Sequence, residues 1–197
     1  MKQIPTLLMA LLFAFLSGSA TLAQSDGDKG KDKKSPVITK YDKGKDITTV
    51  RLKQFPISRL SQEKDAAPNF PLHQMDLEVS YNFKGQNSGP VIDGVTFKFH
   101  ASAGNYLFLR ETQVNAVLDR DSNGMDRVIQ LGMSDYKSEP PKFNSVYEEY
   151  LTVSAPAEAV EKIAKANSIE LFVGPVGYRL SASQIEAIKA LAASLPK

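Results

Sequence analysis

The chain has 197 residues, is 42% hydrophobic and carries a formal net charge of +2 from 24 basic and 22 acidic residues. This length suits one domain with its own core, and so balanced a charge creates no long-range field that would attract nucleic acid or an anionic membrane. The absence of cysteine excludes disulfides, thiolate nucleophiles and Cys-ligated metal sites.

The amino-terminal segment, residues 1–23, has the pattern of a secretory signal peptide. Lys2 supplies a short positive start, residues 7–16 form an uncharged apolar run, and small residues follow, with Thr21 and Ala23 at the positions that a signal peptidase recognises. We therefore expect cleavage after Ala23, a mature protein in the periplasm or outside the cell, and no stable membrane insertion after cleavage. An uncleaved anchor is the alternative, although the apolar run is short for spanning about 30 Å of hydrocarbon.

Residues 24–35 are predicted to be a disordered charged linker. They consist of Asp, Gly, Lys, Ser and one Gln, with no apolar side chain. A segment of this composition cannot bury enough apolar surface to repay the entropy of ordering it. We expect a single antiparallel β domain to begin at residue 36 and to end at residue 197.

The first half of this domain favours short antiparallel strands. Residues 37–41 and 48–52 are the first two candidates. The clearest strand is 75–84, where apolar and polar side chains alternate without exception, so that one face is buried and the other faces water. Residues 95–100 repeat this alternation, and two such neighbours are typical of an antiparallel sheet with one solvated face.

Three less regular segments are assigned from residue type. Residues 55–73 contain three prolines, so we expect an irregular connection with at most one helical turn at 57–65. The almost wholly apolar run 106–109 is predicted to be a central strand. Residues 138–145 contain two adjacent prolines and are predicted to be a surface loop.

The stretch from Tyr147 to Leu195 has the strongest pattern in the chain. It predicts a strand at 147–153, a helix at 155–166, strands at 169–173 and 177–180, and a helix at 182–195. Ser181 and Gln184 form a capping box at the start of the last helix, and Ser154 is expected to cap the first. The fold class is therefore mainly β with two C-terminal helices, as an antiparallel β-sandwich or twisted sheet; a two-layer α+β fold is the alternative.

The segment from Ile169 to Leu195, which begins IELFVGPVGYRLSASQIEAIKAL, resembles the closing segment of a group of uncharacterised exported bacterial proteins. In that group a strand, a glycine turn, a second strand and an amphipathic helix complete a mostly β domain. The resemblance implies a mostly β fold and a bacterial envelope setting. It implies no activity and no functional residue.

Residues 119–124 match the first half of a calcium-binding loop. Their sequence, DRDSNG, places oxygen ligands at alternate positions with glycine sixth. The second half does not match, because Gln130 stands where a bidentate Glu would complete the coordination sphere. The same residues suit a turn between hairpin strands at 114–118 and 128–131, so we predict no metal site and keep calcium as the alternative.

The two histidines, His73 and His100, are the residues on which a hydrolase would depend. His100 lies on the polar face of its predicted strand, with Ser102 two residues later, but the chain has no G-x-S-x-G motif. A histidine-based zinc site would need three or more convergent ligands. We interpret both histidines as exposed structural residues.

Carboxylates and aromatic residues also give no site pattern. Glu148 and Glu149 are neighbours on a predicted strand and therefore point to opposite faces, which prevents them from acting together on one substrate. The chain has no tryptophan for stacking against sugars. The tyrosines nearest to these strands are interpreted as core residues: Tyr81, Tyr106, Tyr147 and Tyr150.

The sequence thus predicts no catalytic, cofactor-binding or metal-binding residue and no cofactor. The leading hypothesis is an exported non-enzymatic module of the bacterial envelope that binds a protein or a small molecule, and no nucleic-acid partner is expected. One alternative is a hydrolase that uses His100 or His73 with carboxylates at unassigned positions. Another is a calcium-stabilised surface or adhesion module.

Overall fold

The computed structural model describes residues 35–60, 72–86, 92–108, 110–120, 127–142 and 146–196. The predicted signal peptide, and the predicted linker up to residue 34, lie outside this range. The described elements are β1 (Val37–Asp42), β2 (Ile47–Leu52), β3 (Phe55–Pro56), β4 (Ser58–Arg59), β5 (Leu72–Lys84), β6 (Val95–Ala103), β7 (Gln113–Leu118), β8 (Arg127–Met133), β9 (Asp135–Lys142), β10 (Val146–Ala155), α1 (Ala157–Ala164), β11 (Ile169–Val173), β12 (Val176–Arg179) and α2 (Ala182–Ala193).

These strands form two antiparallel sheets. Sheet A has the order β1-β2-β5-β6-β10-β9, with β3 also pairing with β5, and sheet B has the order β4-β12-β11-β7-β8. The inner faces of both sheets and the apolar faces of the two helices contribute to one core. The predicted class, mainly β with antiparallel sheets and two C-terminal helices, is confirmed.

Sheet A is built around β5 and β6, the strands with the cleanest alternation. They pair in register from Gln74↔Ser102 to Tyr81↔Val95, so their apolar side chains share one face. Phe97 and Phe99 are 0% exposed at the centre of that face. Burying such large rings contributes about 1.5–3 kcal/mol each, which explains why this pair of strands forms the middle of the sheet.

The capping box of α2 is confirmed. Ser181 Oγ accepts a hydrogen bond from the Gln184 backbone N–H at 3.4 Å, and Gln184 Oε1 accepts one from the Ser181 backbone N–H at 2.8 Å. The helix packs against α1, β1 and β2. Its last turn is also fixed to sheet A, because the Tyr81 hydroxyl donates to the Ser194 carbonyl.

The predicted cap of α1 is wrong. Ser154 lies within β10, which stays paired with β6 as far as Ala155↔Val95. The helix begins after Pro156, which makes no side-chain capping bond. The fixed φ of proline suits the entry to a helix, so α1 can start there without a polar cap.

Residues 55–60 are more regular than their prolines suggest. Phe55–Pro56 pairs with β5, and Ser58–Arg59 pairs with β12 in the other sheet. The helical turn predicted at 57–65 is therefore wrong for residues 57–60, while residues 61–65 lie outside the described range. Two short strands on either side of Ile57 let the chain cross from sheet A to sheet B at this point.

The surface loop predicted at 138–145 is wrong through residue 142. Strand β9 passes through Pro140 and Pro141 and pairs with β10 as far as Lys142↔Val146. Proline cannot donate to a ladder, but β9 is an end strand of sheet A, and one side of an end strand needs no donors. The hairpin of β7 and β8 matches its prediction, and its turn residues 121–126 lie outside the described range.

Candidate functional site

A groove of about 620 Å³ lies where the chain passes from β8 in sheet B to β9 in sheet A. Arg110 to Gln113 form one wall, and Met133 and Tyr136 form the other. The groove is open to solvent over most of its extent, so a ligand would lie along the surface and would not be enclosed. We call this feature the corner groove.

The two walls of the corner groove are joined through Ser134, the single residue between β8 and β9. Ser134 is 2% exposed. Its backbone N–H donates to the Thr112 carbonyl at 2.9 Å, and its Oγ accepts from the Thr112 N–H at 3.1 Å. This reciprocal pair fixes the distance between the walls.

A third segment supports the same wall from behind. The Gly174 backbone N–H donates to the Gln113 carbonyl at 2.9 Å. Gly174 has φ +57°, and a Cβ at this position would lie 2.5 Å from Thr112 Oγ1. Only glycine allows both this backbone conformation and this close approach, so the β11–β12 turn packs tightly onto the groove wall.

Glu149 anchors the loop that leads into the groove. It is 1% exposed and accepts hydrogen bonds from the backbone N–H groups of Leu107 at 2.5 Å and Phe108 at 3.0 Å, and from the Tyr136 hydroxyl at 3.0 Å. A buried carboxylate is stable only when such donors replace its water. Glu149 therefore holds the loop and the Tyr136 wall in one arrangement.

The Tyr136 phenol is suited to this role as a donor. Burial raises the pKa of Tyr136, the Ser138 side chain lowers it, and the hydrogen bond to Glu149 raises it again. The raised pKa keeps the hydroxyl protonated well above neutral pH. Tyr136 thus continues to donate to Glu149 wherever the protein is folded near neutrality.

The central strand predicted at 106–109 is wrong for residues 106–108. Its apolar composition favoured a strand, but the N–H groups of Leu107 and Phe108 bond to a carboxylate instead of a neighbouring strand. A signal for this was present in the sequence. Glu149 lies in the inward alternation of β10, two residues before the buried Leu151, and a charge in an apolar series requires partners from elsewhere.

A second polar cluster lies on the outer face of sheet A. His100 Nε2 is 2.5 Å from Glu148 Oε2, and the Ser102 hydroxyl donates to Glu148 Oε1 at 3.3 Å. The His100 ring stacks on Tyr150 with centroids 4.6 Å apart and an interplanar angle of 4°. The cavity beside them has a volume of only about 40 Å³ and is also lined by Lys98.

This cluster has the residue types of a nucleophilic triad in a different order. In a triad the imidazole lies between the hydroxyl and the carboxylate, so that it can take the hydroxyl proton. Here Glu148 lies between, since it bonds to both His100 and Ser102. The predicted position of His100 on the polar face is confirmed, and the side chain of His73 lies outside the described range.

The remaining residues singled out in the sequence are placed as follows. Glu148 and Glu149 point to opposite faces of β10, as predicted. Tyr81 is a core residue, 2% exposed, as predicted. The core assignment is wrong for Tyr150, which stacks on His100 on the outer face.

Only part of the predicted calcium-like loop, Asp119 and Arg120, lies in the described range. Asp119 Oδ1 accepts the backbone N–H groups of Asn167 at 2.7 Å and Ser168 at 2.9 Å. This carboxylate therefore already joins the end of β7 to the segment after α1. Across the described ranges, no three His, Asp or Glu side chains converge as metal ligands would.

Comparison with known protein families, curated proteins and solved structures gives no match to this chain. In the described part of the chain, neither helix has the length and hydropathy needed to cross a bilayer. Function is therefore inferred from the geometry of the described residues, among which the corner groove is the candidate site.

Proposed function

We propose that this chain is an exported, non-enzymatic binding module of the bacterial envelope, and that its ligand binds in the corner groove. The observation that carries the proposal is the fixed separation of the groove walls by Ser134, Thr112 and Glu149. A site that is already ordered binds its ligand without the entropic cost of closing around it. Export is supported by the pattern of residues 1–23.

The lining of the groove suggests the chemistry of the ligand. Arg110 and Glu111 supply opposite charges at the rim, and Gln113 adds an amide. Met133 is 58% exposed, which is unusual for a large apolar side chain. Methionine is flexible and polarizable and packs against varied partners. A ligand with an apolar part and flanking polar groups, such as a short peptide, fits this lining.

Thermal melting of the purified protein against a panel of peptides, sugars, nucleotides, lipids and metal ions tests the proposal. A ligand that binds the folded state and not the unfolded state raises the melting temperature, and the rise grows with the logarithm of its concentration above Kd. Chain positions 133 and 128 offer a matched pair, because Met133 and Val128 lie on the same strand and are 58% and 57% exposed, but only Met133 lines the groove.

We expect Met133→Ser to abolish the ligand-induced rise and Val128→Ser to preserve it. Both substitutions replace an exposed side chain, so each should change the free energy of unfolding by less than about 0.5 kcal/mol. A ligand whose effect survives in Met133→Ser and also in Arg110→Ala would bind elsewhere and would contradict the proposed site.

A hydrolase that uses His100 is the second candidate, favoured by the 2.5 Å contact between His100 and Glu148. Glu148, and not His100, lies in the middle of the cluster, and the cavity beside it is only about 40 Å³. Both features support a structural role more than a catalytic one. Chromogenic ester, phosphate and glycoside substrates test this candidate. Turnover that disappears in His100→Gln and remains in Met133→Ser would establish the hydrolase over the binding module.

A further inference from the structure

The strand orders of the two sheets end at four strands in the described ranges: β1 and β9 in sheet A, and β4 and β8 in sheet B; the two-residue β3 lies outside the order of sheet A and pairs only with β5. Three of them are poorly suited to pairing with another strand. Strand β9 contains Pro140 and Pro141, β4 has two residues, and β8 has a register shift opposite Val114 and Asn115. Prolines, short length and bulges are three of the devices that protect a sheet edge, and charged side chains such as lysine are a fourth.

Strand β1 has no proline, truncation or bulge, and Lys40 is its one exposed lysine. It pairs with β2 without interruption from Val37↔Leu52 to Asp42↔Ile47. Its outer edge is therefore a regular row of backbone donors and acceptors, six residues long. Ile38, at 40% exposed, is also one of the few large apolar side chains that the described ranges leave in solvent.

The hydrogen-bond pattern shows which backbone groups face outward. The Lys53 N–H donates to the Pro36 carbonyl at 3.4 Å, so position 36 belongs to a hydrogen-bonded pair with β2. Such pairs recur at every second residue of an antiparallel ladder. Positions 38, 40 and 42 consequently bond to β2, and the N–H and C=O groups of Val37, Thr39 and Tyr41 face outward.

One further observation agrees with this assignment. The Val37 N–H bonds to the Ser35 hydroxyl at 3.2 Å instead of to β2. The same alternation leaves the N–H groups of Thr39 and Tyr41 without an acceptor in β2. The middle of this edge therefore presents backbone groups that do not bond to β2.

We propose that β1 pairs antiparallel with β1 of a second copy of this chain, about a twofold axis at Thr39, and so joins two A sheets into one. In this register Thr39 lies opposite itself, and Val37 lies opposite Tyr41. These are the three outward-facing positions, so each can exchange backbone hydrogen bonds with its partner. The outward pattern of β1 is therefore complementary to its own copy.

Side chains disfavour one of the two neighbouring registers. Centring the axis on Thr39 places Lys40 opposite Ile38, whose exposed surface the lysine stem can cover. Threonine opposite threonine is a favourable cross-strand pair. Moving the axis to position 40 would place two lysines directly opposite each other, which is destabilising.

The helices would add to the contact. Helix α2 packs against β1 and β2, and a twofold axis perpendicular to the joined sheet keeps the inner faces of both copies on one side. The two α2 helices would therefore lie on the same side of the sheet, near the axis. The paired edges alone bury less than the roughly 1,200–2,000 Å² of a stable complex, so we expect a dimer that forms reversibly with concentration.

Sedimentation velocity of the purified protein, from micromolar to near-millimolar concentration, tests this surface. We expect a monomer–dimer equilibrium in the wild-type chain. Thr39→Pro removes the outward N–H and leaves the bonds to β2 intact, and we expect it to weaken association by about tenfold or more. Thr39→Ala is the matched control, since it keeps the N–H and should associate within about threefold of wild type.

Hydrogen exchange of the wild-type protein gives a second test that needs no substitution. Protection of the Thr39 and Tyr41 amides should rise with protein concentration, whereas protection of the Lys40 amide, which bonds to β2, should stay constant. A monomer over the whole concentration range would overturn the proposal. So would equal association of Thr39→Pro and Thr39→Ala, or protection at Thr39 that does not depend on concentration.

Discussion

Glu148 and Glu149 are neighbours on β10, and their side chains lie on opposite faces of the sheet. The first lies on the outer face of β10 with His100, and the second is 1% exposed and bonds to the loop at Leu107 and Phe108. The sequence alone predicts the opposite faces, because strand side chains alternate. It does not predict the two backbone donors to Glu149, since they are about forty residues away in the chain and depend on the tertiary fold.

These neighbours provide a matched pair of substitutions. Glu149→Ala leaves two part-buried backbone N–H groups and a phenol without their acceptor, so we expect it to lower the free energy of unfolding by about 2–3 kcal/mol. Glu148→Ala removes a half-exposed contact to His100 and should cost less than about 1 kcal/mol. Urea unfolding of both variants checks this, and equal losses would show that Glu149 is not an anchor.

Tyr178 carries a polar group that the core does not satisfy. Its side chain is 0% exposed, and its hydroxyl has no hydrogen-bond partner in the described ranges. We expect Tyr178→Phe to raise the free energy of unfolding by about 1 kcal/mol, because it removes an uncompensated desolvation cost. Tyr81→Phe is the control and should lower it by a similar amount, since the Tyr81 hydroxyl donates to Ser194. A loss of stability in Tyr178→Phe would contradict this account.

The same hydroxyl gives a pH dependence. Burial raises the pKa of Tyr178 above its ordinary value, while Arg59 lowers it and Glu149 raises it to lesser extents. The folded state then holds this proton more tightly than the unfolded state. The contribution of this proton to the free energy of unfolding is therefore complete below about pH 10, the ordinary tyrosine pKa. It declines as the pH rises above that value. Denaturant titrations between about pH 8 and pH 11 should show a smaller decline for Tyr178→Phe than for wild type.

At the scale of elements, local patterns predict some parts well and others poorly. The alternation of β5 and β6 and the capping box of α2 depend on neighbouring residues, and the structure has them where the sequence places them. Strand β9 was predicted to be a loop because prolines disfavour ladders in general. Its position at the end of sheet A, where they are tolerated, is a property of the sheet order.

The capping box of α2 is open to a direct test. Ser181→Ala removes the acceptor of the Gln184 N–H, and we expect a loss of about 1 kcal/mol in the free energy of unfolding. Ser181→Asp retains an acceptor and should stay within a few tenths of a kcal/mol of wild type. Chemical denaturation of the two variants separates them. Equal stabilities would mean that the cap contributes nothing to α2.

The hypothesis of calcium binding at residues 119–124 is best tested at Asp121, because Asp119 has a structural role. Asp119→Ala should destabilise the protein with or without calcium, because Asp119 accepts two backbone N–H groups after α1. Asp121→Ala is therefore the cleaner probe of a metal. If calcium binds, it raises the melting temperature of wild type and not of Asp121→Ala. An equal melting temperature of wild type in calcium and in chelator would exclude a calcium-stabilised module.

The corner groove could not be predicted from the sequence, because it is formed by the tertiary fold of the whole molecule. Its walls come from residues 110–113 and from residues 133 and 136, and they meet only because the chain leaves sheet B and enters sheet A at Ser134. Local periodicity gives strands and helices but not which strand ends a sheet. The predictions of a signal peptide at 1–23 and of a linker at 24–35 stay predictions, since they rest on composition alone.

The central claim is that a ligand occupies the corner groove, and the methionine methyl groups report on it directly. Met133 lines the groove and is 58% exposed, whereas Met75 is 1% exposed in the core of sheet A and serves as an internal reference. We would record methyl NMR spectra of the methionine-labelled protein during titration with a compound that raises its melting temperature. Our account predicts that the Met133 methyl resonance shifts and that of Met75 does not. A compound that stabilises the protein and leaves the Met133 resonance in place would contradict it.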